Sequence, residues 1–135
     1  MKASLAAGLT GSKTITVDED RCISFMGREG MVYATPRVVS DVEYTCLEFL
    51  LTHLDPGEAS VGTHVSIDHL AATPLGMQAT VEFTITAVEK RQVTFAFTVR
   101  DALEECARGT HVRFVVDVAK TKERLAAKRA KAGMK

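Results

Sequence analysis

The chain has 135 residues, with Lys+Arg and Asp+Glu both at 17, so its formal net charge is zero. That length suits one domain with a single core. The charge balance argues against nucleic acid as the main partner, because phosphate binding needs a basic excess, and no apolar run is long enough to span a bilayer.

The N-terminal MKASLAAGLTGSK holds only a short apolar stretch, too weak for a signal peptide. Cys22, Cys46 and Cys106 are odd in number and unclustered. They form neither a disulfide framework nor a metal pattern, which predicts a reducing, cytoplasmic setting. Ser12 to Val17 alternates and reads as a first strand, broken by Asp18-Glu19-Asp20. Residues 21–34, with two glycines and no clean period, read as a loop or short lid.

A helix is predicted over 36–54. Thr35 supplies a hydroxyl cap and Pro36 the first helical position, and Asp55-Pro56-Gly57 stops it. Val39, Val42, Cys46, Leu47, Leu50 and Leu54 make one apolar face. Glu43 falls in the middle of that face, where an ionised carboxylate is costly unless it is partnered or lines a cavity. It is either a structural, hydrogen-bonded Glu or a site carboxylate.

Four alternating segments follow. In the first, Ala59, Val61, Thr63, Val65, Ile67, His69 and Ala71 share one face, and Ser60, His64, Ser66 and Asp68 the other, wetter one. After a turn at Thr73-Pro74-Leu75-Gly76, Ala79, Val81, Phe83, Ile85 and Ala87 alternate. Past Glu89-Lys90-Arg91, so do Val93, Phe95, Phe97 and Val99. The last segment, about Glu105 to Val118, is expected to turn Val112, Phe114, Val116 and Val118 to the core. Such alternation predicts antiparallel strands with one covered face. The tail from Lys120 to Lys135 is basic, a solvated helix or a patch for an anionic ligand. The order of elements gives an α+β, two-layer architecture, similar to the hotdog fold, in which a curled antiparallel sheet wraps one long helix.

Thr35, Glu43 and His69 all project toward the sheet–helix layer. A hydroxyl, a carboxylate and an imidazole together can activate a nucleophile or water for acyl transfer, with no metal or cofactor. His64 and His111 show no ligand spacing with His69.

The spacing Thr35…Glu43…His69, with LDPGEASVGTHV, HLAATPLG and GTHVR, resembles that of the fluoroacetyl-CoA thioesterase family among hotdog thioesterases, from about Ala34 to Val118. The resemblance implies one thioesterase-like domain over residues 1–135, with 120–135 as its basic C-terminal tail. It implies Thr35, Glu43 and His69 as the catalytic trio, and Gly62 and Arg113 as substrate-lining residues. It also implies an acyl-CoA substrate and a homodimer with its sites at the interface. The aromatic lid positions of the fluoroacetate-selective enzyme correspond here to Met26 and Glu29, so a different short acyl group is expected. The alternatives are another hotdog acyl-CoA enzyme such as a dehydratase, or a non-catalytic binding module for acyl-CoA or another small ligand.

Overall fold

The computed structural model describes residues 1–134; Lys135, counted above in the basic tail, lies outside them. The chain runs β1 (Thr10–Thr16), α1 (Thr35–Leu51), β2 (Glu58–His69), β3 (Gln78–Glu89), β4 (Gln92–Asp101), β5 (Glu105–Asp117) and α2 (Val118–Lys131). The five strands form one antiparallel sheet in the order β1-β3-β4-β5-β2. The sheet curls around α1, the α+β hotdog architecture expected from the order of elements.

α1 begins at Thr35, one residue before the predicted start, and ends three residues sooner. The Thr52 hydroxyl donates to the Phe49 carbonyl at 2.7 Å. The chain then tightens into three-residue bonds, His53 N–H to Leu50 O and Leu54 N–H to Leu51 O, a usual effect of a hydroxyl competing for helix carbonyls. Gly57, at φ +84°, makes the turn into β2, a conformation that costs glycine little.

The buried face of α1 is Val38, Val42, Thr45, Cys46 and Leu50. It packs on Ile15, Val81, Ile85, Phe95 and Val99 of the sheet. Burying each large apolar side chain contributes about 1.5–3 kcal/mol. Glu43 is therefore not at the centre of the covered face, as the sequence suggested. It shares a stripe with Val39 and Leu47, about 100° round the helix from the Val38–Val42 stripe, and its side chain is 40% exposed. Burial pushes the Cys46 thiol up to about 12, so it sits neutral in the core, and all three cysteines are free thiols.

Three strands depart from simple alternation. In β3 the register to β4 shifts between Ile85 and Ala87, so Val88, opposite the buried Val93, faces the core there in place of the expected Ala87. In β2 the register to β5 shifts between Gly62 and His64. One extra residue, Thr63, bulges out, and a bulge of one residue exchanges the two faces. Val65, Ile67 and His69 face inward as expected, but before the bulge the inward residues are Ser60 and Gly62, and Val61 is exposed.

In β5 the expected face is reversed. Phe114 is 41% exposed, whereas His111, Arg113 and Val115 are buried. The register explains it: His111 sits opposite Phe95, Arg113 opposite Val93 and Ala107 opposite Val99, all inward positions of β4. β5 has apolar residues on both faces, so hydrophobicity alone pointed to the wrong parity. Val118, expected in the core at the end of β5, instead starts α2, because the Asp117 carboxylate caps it by accepting from the Lys120 N–H at 2.9 Å. α2 buries none of its residues.

Gly109 of β5 leaves no room for a side chain: an added Cβ would lie 1.8 Å from the Ser66 carbonyl oxygen of β2 and 3.0 Å from the Phe97 ring. Gly109→Ala must push the two strands apart. Its expected cost is about 3 kcal/mol, the upper end for overpacking, read as a drop in the urea midpoint at unchanged m-value.

Candidate active site

At the N-terminal end of α1 the Thr35 hydroxyl does not cap the helix. Ala34 is the cap residue, with no side-chain bond, and the Thr35 Oγ1 lies 2.7 Å from His69 Nδ1. Thr35 is placed by the helix start and His69 by the last residue of β2. Burial holds the imidazole below its ordinary range, with the Ala71 backbone opposing. Its Nε2 is buried and has no hydrogen-bond partner among the described residues. An orphaned ring nitrogen in a neutral imidazole is a group poised to exchange a proton.

This pair lies in the wall of a cavity of about 300 Å³, with Ile23, Val32, Tyr33 and Ala71 among its other walls. Of the first helical N–H groups, Pro36 has none, and those of Arg37 and Val38 go back to the Ala34 carbonyl. The Thr35 N–H makes no backbone bond, as is usual for a first helical N–H.

The second half of the expected site lies elsewhere. Glu43 is eight residues along α1 from Thr35, a rise of about 12 Å. The fold therefore brings Thr35 and His69 together and sets Glu43 apart from them within one chain. Glu43 Oε2 stands 3.8 Å from Arg113 Nη1.

Arg113 does not lie on an open strand surface, where a reading of Val112 and Phe114 as core residues would place it. It is 3% exposed. Its Nε donates to the Ser60 hydroxyl at 2.8 Å, its Nη2 to the Ser60 carbonyl at 2.9 Å and its Nη1 to His111 Nε2 at 3.2 Å. Hydrogen bonds from a charged donor contribute about 1.5–3 kcal/mol each, which is how an inward-facing arginine is tolerated. Burial still lowers its pKa, with Glu43 opposing.

His111 Nδ1–H donates to the His64 carbonyl at 2.8 Å. That bond fixes the tautomer and leaves Nε2 to accept from Arg113. Burial lowers the His111 pKa as well. Gly62 is the gap that lets this cluster close: a Cβ there would sit 2.9 Å from Glu43 Oε2, 3.3 Å from His111 Cε1 and 3.4 Å from Arg113 Nη1. Glu43 and Arg113 open onto a groove walled by Pro36, Val39, Ser40, Tyr44 and Leu47.

Sequence reasoning did not mark His111 or Ser60 as part of the site. Both became visible only when the bulge and the register of β5 turned them inward. Among the described residues no three His, Cys, Asp or Glu side chains gather as metal ligands would.

His69 and His111 both bind protons less readily in the fold than in the unfolded chain. The unfolded state then holds more protons as pH falls, so stability declines with falling pH. The loss begins as pH drops through the ordinary histidine value near 6.5 and continues toward the lowered folded values. The urea midpoint is expected to fall between pH 7.5 and pH 5, and His69→Gln is expected to flatten part of that slope.

Three comparisons bear on this geometry. The model of the FlK family, fluoroacetyl-CoA-specific thioesterase, matches residues 17–119. The fluoroacetyl-CoA thioesterase of Streptantibioticus cattleyicolor is 36% identical over 89 residues, 66% of this chain and 64% of that protein's length. A solved structure of the fluoroacetyl-CoA thioesterase FlK superposes with a TM-score of 0.84 at 27% identity, covering 93% of this chain and 98% of the other. A Thermus thermophilus protein of the thioesterase superfamily shares the fold at TM-score 0.83 and 23% identity, over 96% of this chain and 98% of its own. With the matched model spanning most of the chain, from before α1 to the end of β5, the chain belongs to the fluoroacetyl-CoA-specific thioesterase family.

Proposed function

We propose that this chain hydrolyses acyl-CoA thioesters to the carboxylic acid and free CoA. It acts as one thioesterase domain, in the cytoplasm, on a short acyl group other than fluoroacetyl. The observation that carries this reading is the Thr35–His69 hydrogen bond in the wall of a small, mostly apolar cavity beside a helix N-terminus. A thioester carbonyl placed there meets the Thr35 N–H and the positive end of α1, which stabilise the oxyanion of the tetrahedral intermediate.

His69 accepts the proton of the attacking oxygen and returns it to the departing CoA sulfur, with the C–S bond broken and a C–O bond formed. If Thr35 attacks, a water then clears the acyl group; if water attacks, the acid forms directly. Glu43 is the carboxylate partner of that water or nucleophile, held by Arg113. Gly62 leaves the space in which they meet, and Arg113 presents Nη1 to the substrate groove. Free thiols support the reducing location.

Selectivity rests on the loop before α1. Met26 and Glu29, which the resemblance sets at the aromatic lid positions, are exposed. Variants of the solved fluoroacetyl-CoA thioesterase hold fluoroacetate with CoA, or acetyl-CoA, so short acyl groups fit that relative's site.

The two half-sites also support the homodimer. β2 is a twelve-residue edge strand without a second neighbour, a liability that pairing removes. A two-fold axis beside it carries Glu43 of one copy toward the Thr35–His69 pair of the other.

Thiol release over a panel of acetyl- to hexanoyl-CoA tests the reading. Turnover is expected for short chains. His69→Ala is expected to lower kcat roughly 10²–10⁴-fold, and Glu43→Gln to remove most activity with the fold intact. Stoichiometric binding without release would instead mark a binding module, and hydration of an enoyl-CoA a dehydratase.

A further inference from the structure

The segment before α1, read from sequence as a loop or lid, is fastened to the helix by a carboxylate that the proposed chemistry does not use. Asp41 lies two residues before Glu43, about 200° round α1 from it, and its side chain is largely buried. Its Oδ2 accepts from Arg21 Nε at 2.9 Å and its Oδ1 from Arg21 Nη2 at 3.1 Å. The Tyr33 hydroxyl donates to the same Oδ2. Arg21 Nη1 reaches Asp18 at 2.8 Å.

The two arms of the segment are joined as well. The Ala34 N–H donates to the Arg21 carbonyl at 2.8 Å, and Cys22 forms a bridge with Tyr33. The bond to Asp41 holds Arg21 charged, and burial together with the bond to Asp41 keeps the Tyr33 phenol protonated. Both therefore remain donors over the working pH range.

Tyr33 is 1% exposed and two residues before Thr35. Tyr33 lines the cavity that Thr35 and His69 share, and so do Ile23 and Val32 on the two arms that Asp41 gathers. A bidentate carboxylate–guanidinium pair fixes orientation as well as distance. A wall held this way cannot recede to admit a longer chain without breaking bonds to a buried charge.

We propose that Asp41 is a specificity-determining positioning residue: through the Tyr33 hydroxyl and the Arg21 guanidinium it sets the depth of the cavity beside Thr35 and His69, and so the length of acyl chain accepted. This rests on the thioesterase reading.

The test measures kcat and KM of the full chain for acetyl-, propionyl-, butyryl- and hexanoyl-CoA, in wild type, Asp41→Asn and Tyr33→Phe. In both variants the ratio of kcat/KM between the best short chain and hexanoyl-CoA is expected to fall at least fivefold, mainly through a lower KM for the long chain. Folded variants that keep the wild-type ranking within twofold, whatever their melting temperature, overturn the proposal and leave the cluster a stability clamp. Should Asp41→Asn fail to fold, Tyr33→Phe, which keeps the ring and loses one hydroxyl, decides by the same ratio. A wild-type chain that turns over none of the four esters overturns the thioesterase reading and this proposal with it, whereas an active wild type with unaltered variants overturns this proposal alone.

Discussion

The bulge at Thr63 is the constraint on which the site depends. A regular β2 would place every second residue inward along its whole length, so a strand that turns His69 toward Thr35 would turn Val61 toward α1 and Gly62 away from it. With one extra residue in the strand, His69 stays inward at one end while Ser60 and Gly62 face inward at the other. Ser60 then receives two bonds from Arg113, and Gly62 leaves the space in which Glu43, His111 and Arg113 converge. A regular β2 that kept Thr63 would fill that space with Val61 and leave a buried guanidinium without its hydroxyl and carbonyl partners.

The arginine in turn accounts for the inward histidine beside it. A buried cation needs acceptors, and a protonated His111 would be a second cation 3.2 Å away. Burial and the Arg113 charge keep the ring neutral, and the bond from Nδ1–H to the His64 carbonyl and the stacking on Phe95 hold it in place. His111 and His64 share the short stretch around the bulge, so the same irregularity that opens the space also supplies the carbonyl that fixes the tautomer.

Much of the fold was legible because periodicity reports which face is covered. α1, the inner face of β3 as far as Ile85, that of β4, and the second half of β2 all followed from it. The failures share a cause. On β5 apolar residues occupy both faces, so the choice between Val112–Phe114 and His111–Arg113 turned on register with β4. On β2 the parity changed at a bulge that no residue type announced. Glu43 was placed by counting apolar neighbours, which could not tell the centre of the buried stripe from its margin. Thr35 and His69 were legible as a pair because one opens the helix and the other closes the strand packed on it. The joining of Arg21, Asp41 and Tyr33 was not, since a glycine-containing segment without period gives no sign of where it docks.

In the proposed dimer, two half-sites on one chain, a Thr35–His69 pair and a Glu43–Arg113 pair about 12 Å apart along α1, become one site when a second copy brings them together. Mixing His69→Ala protomers with Glu43→Gln protomers, each inactive alone, and allowing subunits to exchange measures this directly. If the halves meet across a two-fold axis, each mixed dimer regains one intact site, and thiol release is expected to recover to about a quarter of the wild-type rate. Mixed dimers that form, as judged by mass, yet stay as inactive as either parent would contradict the account.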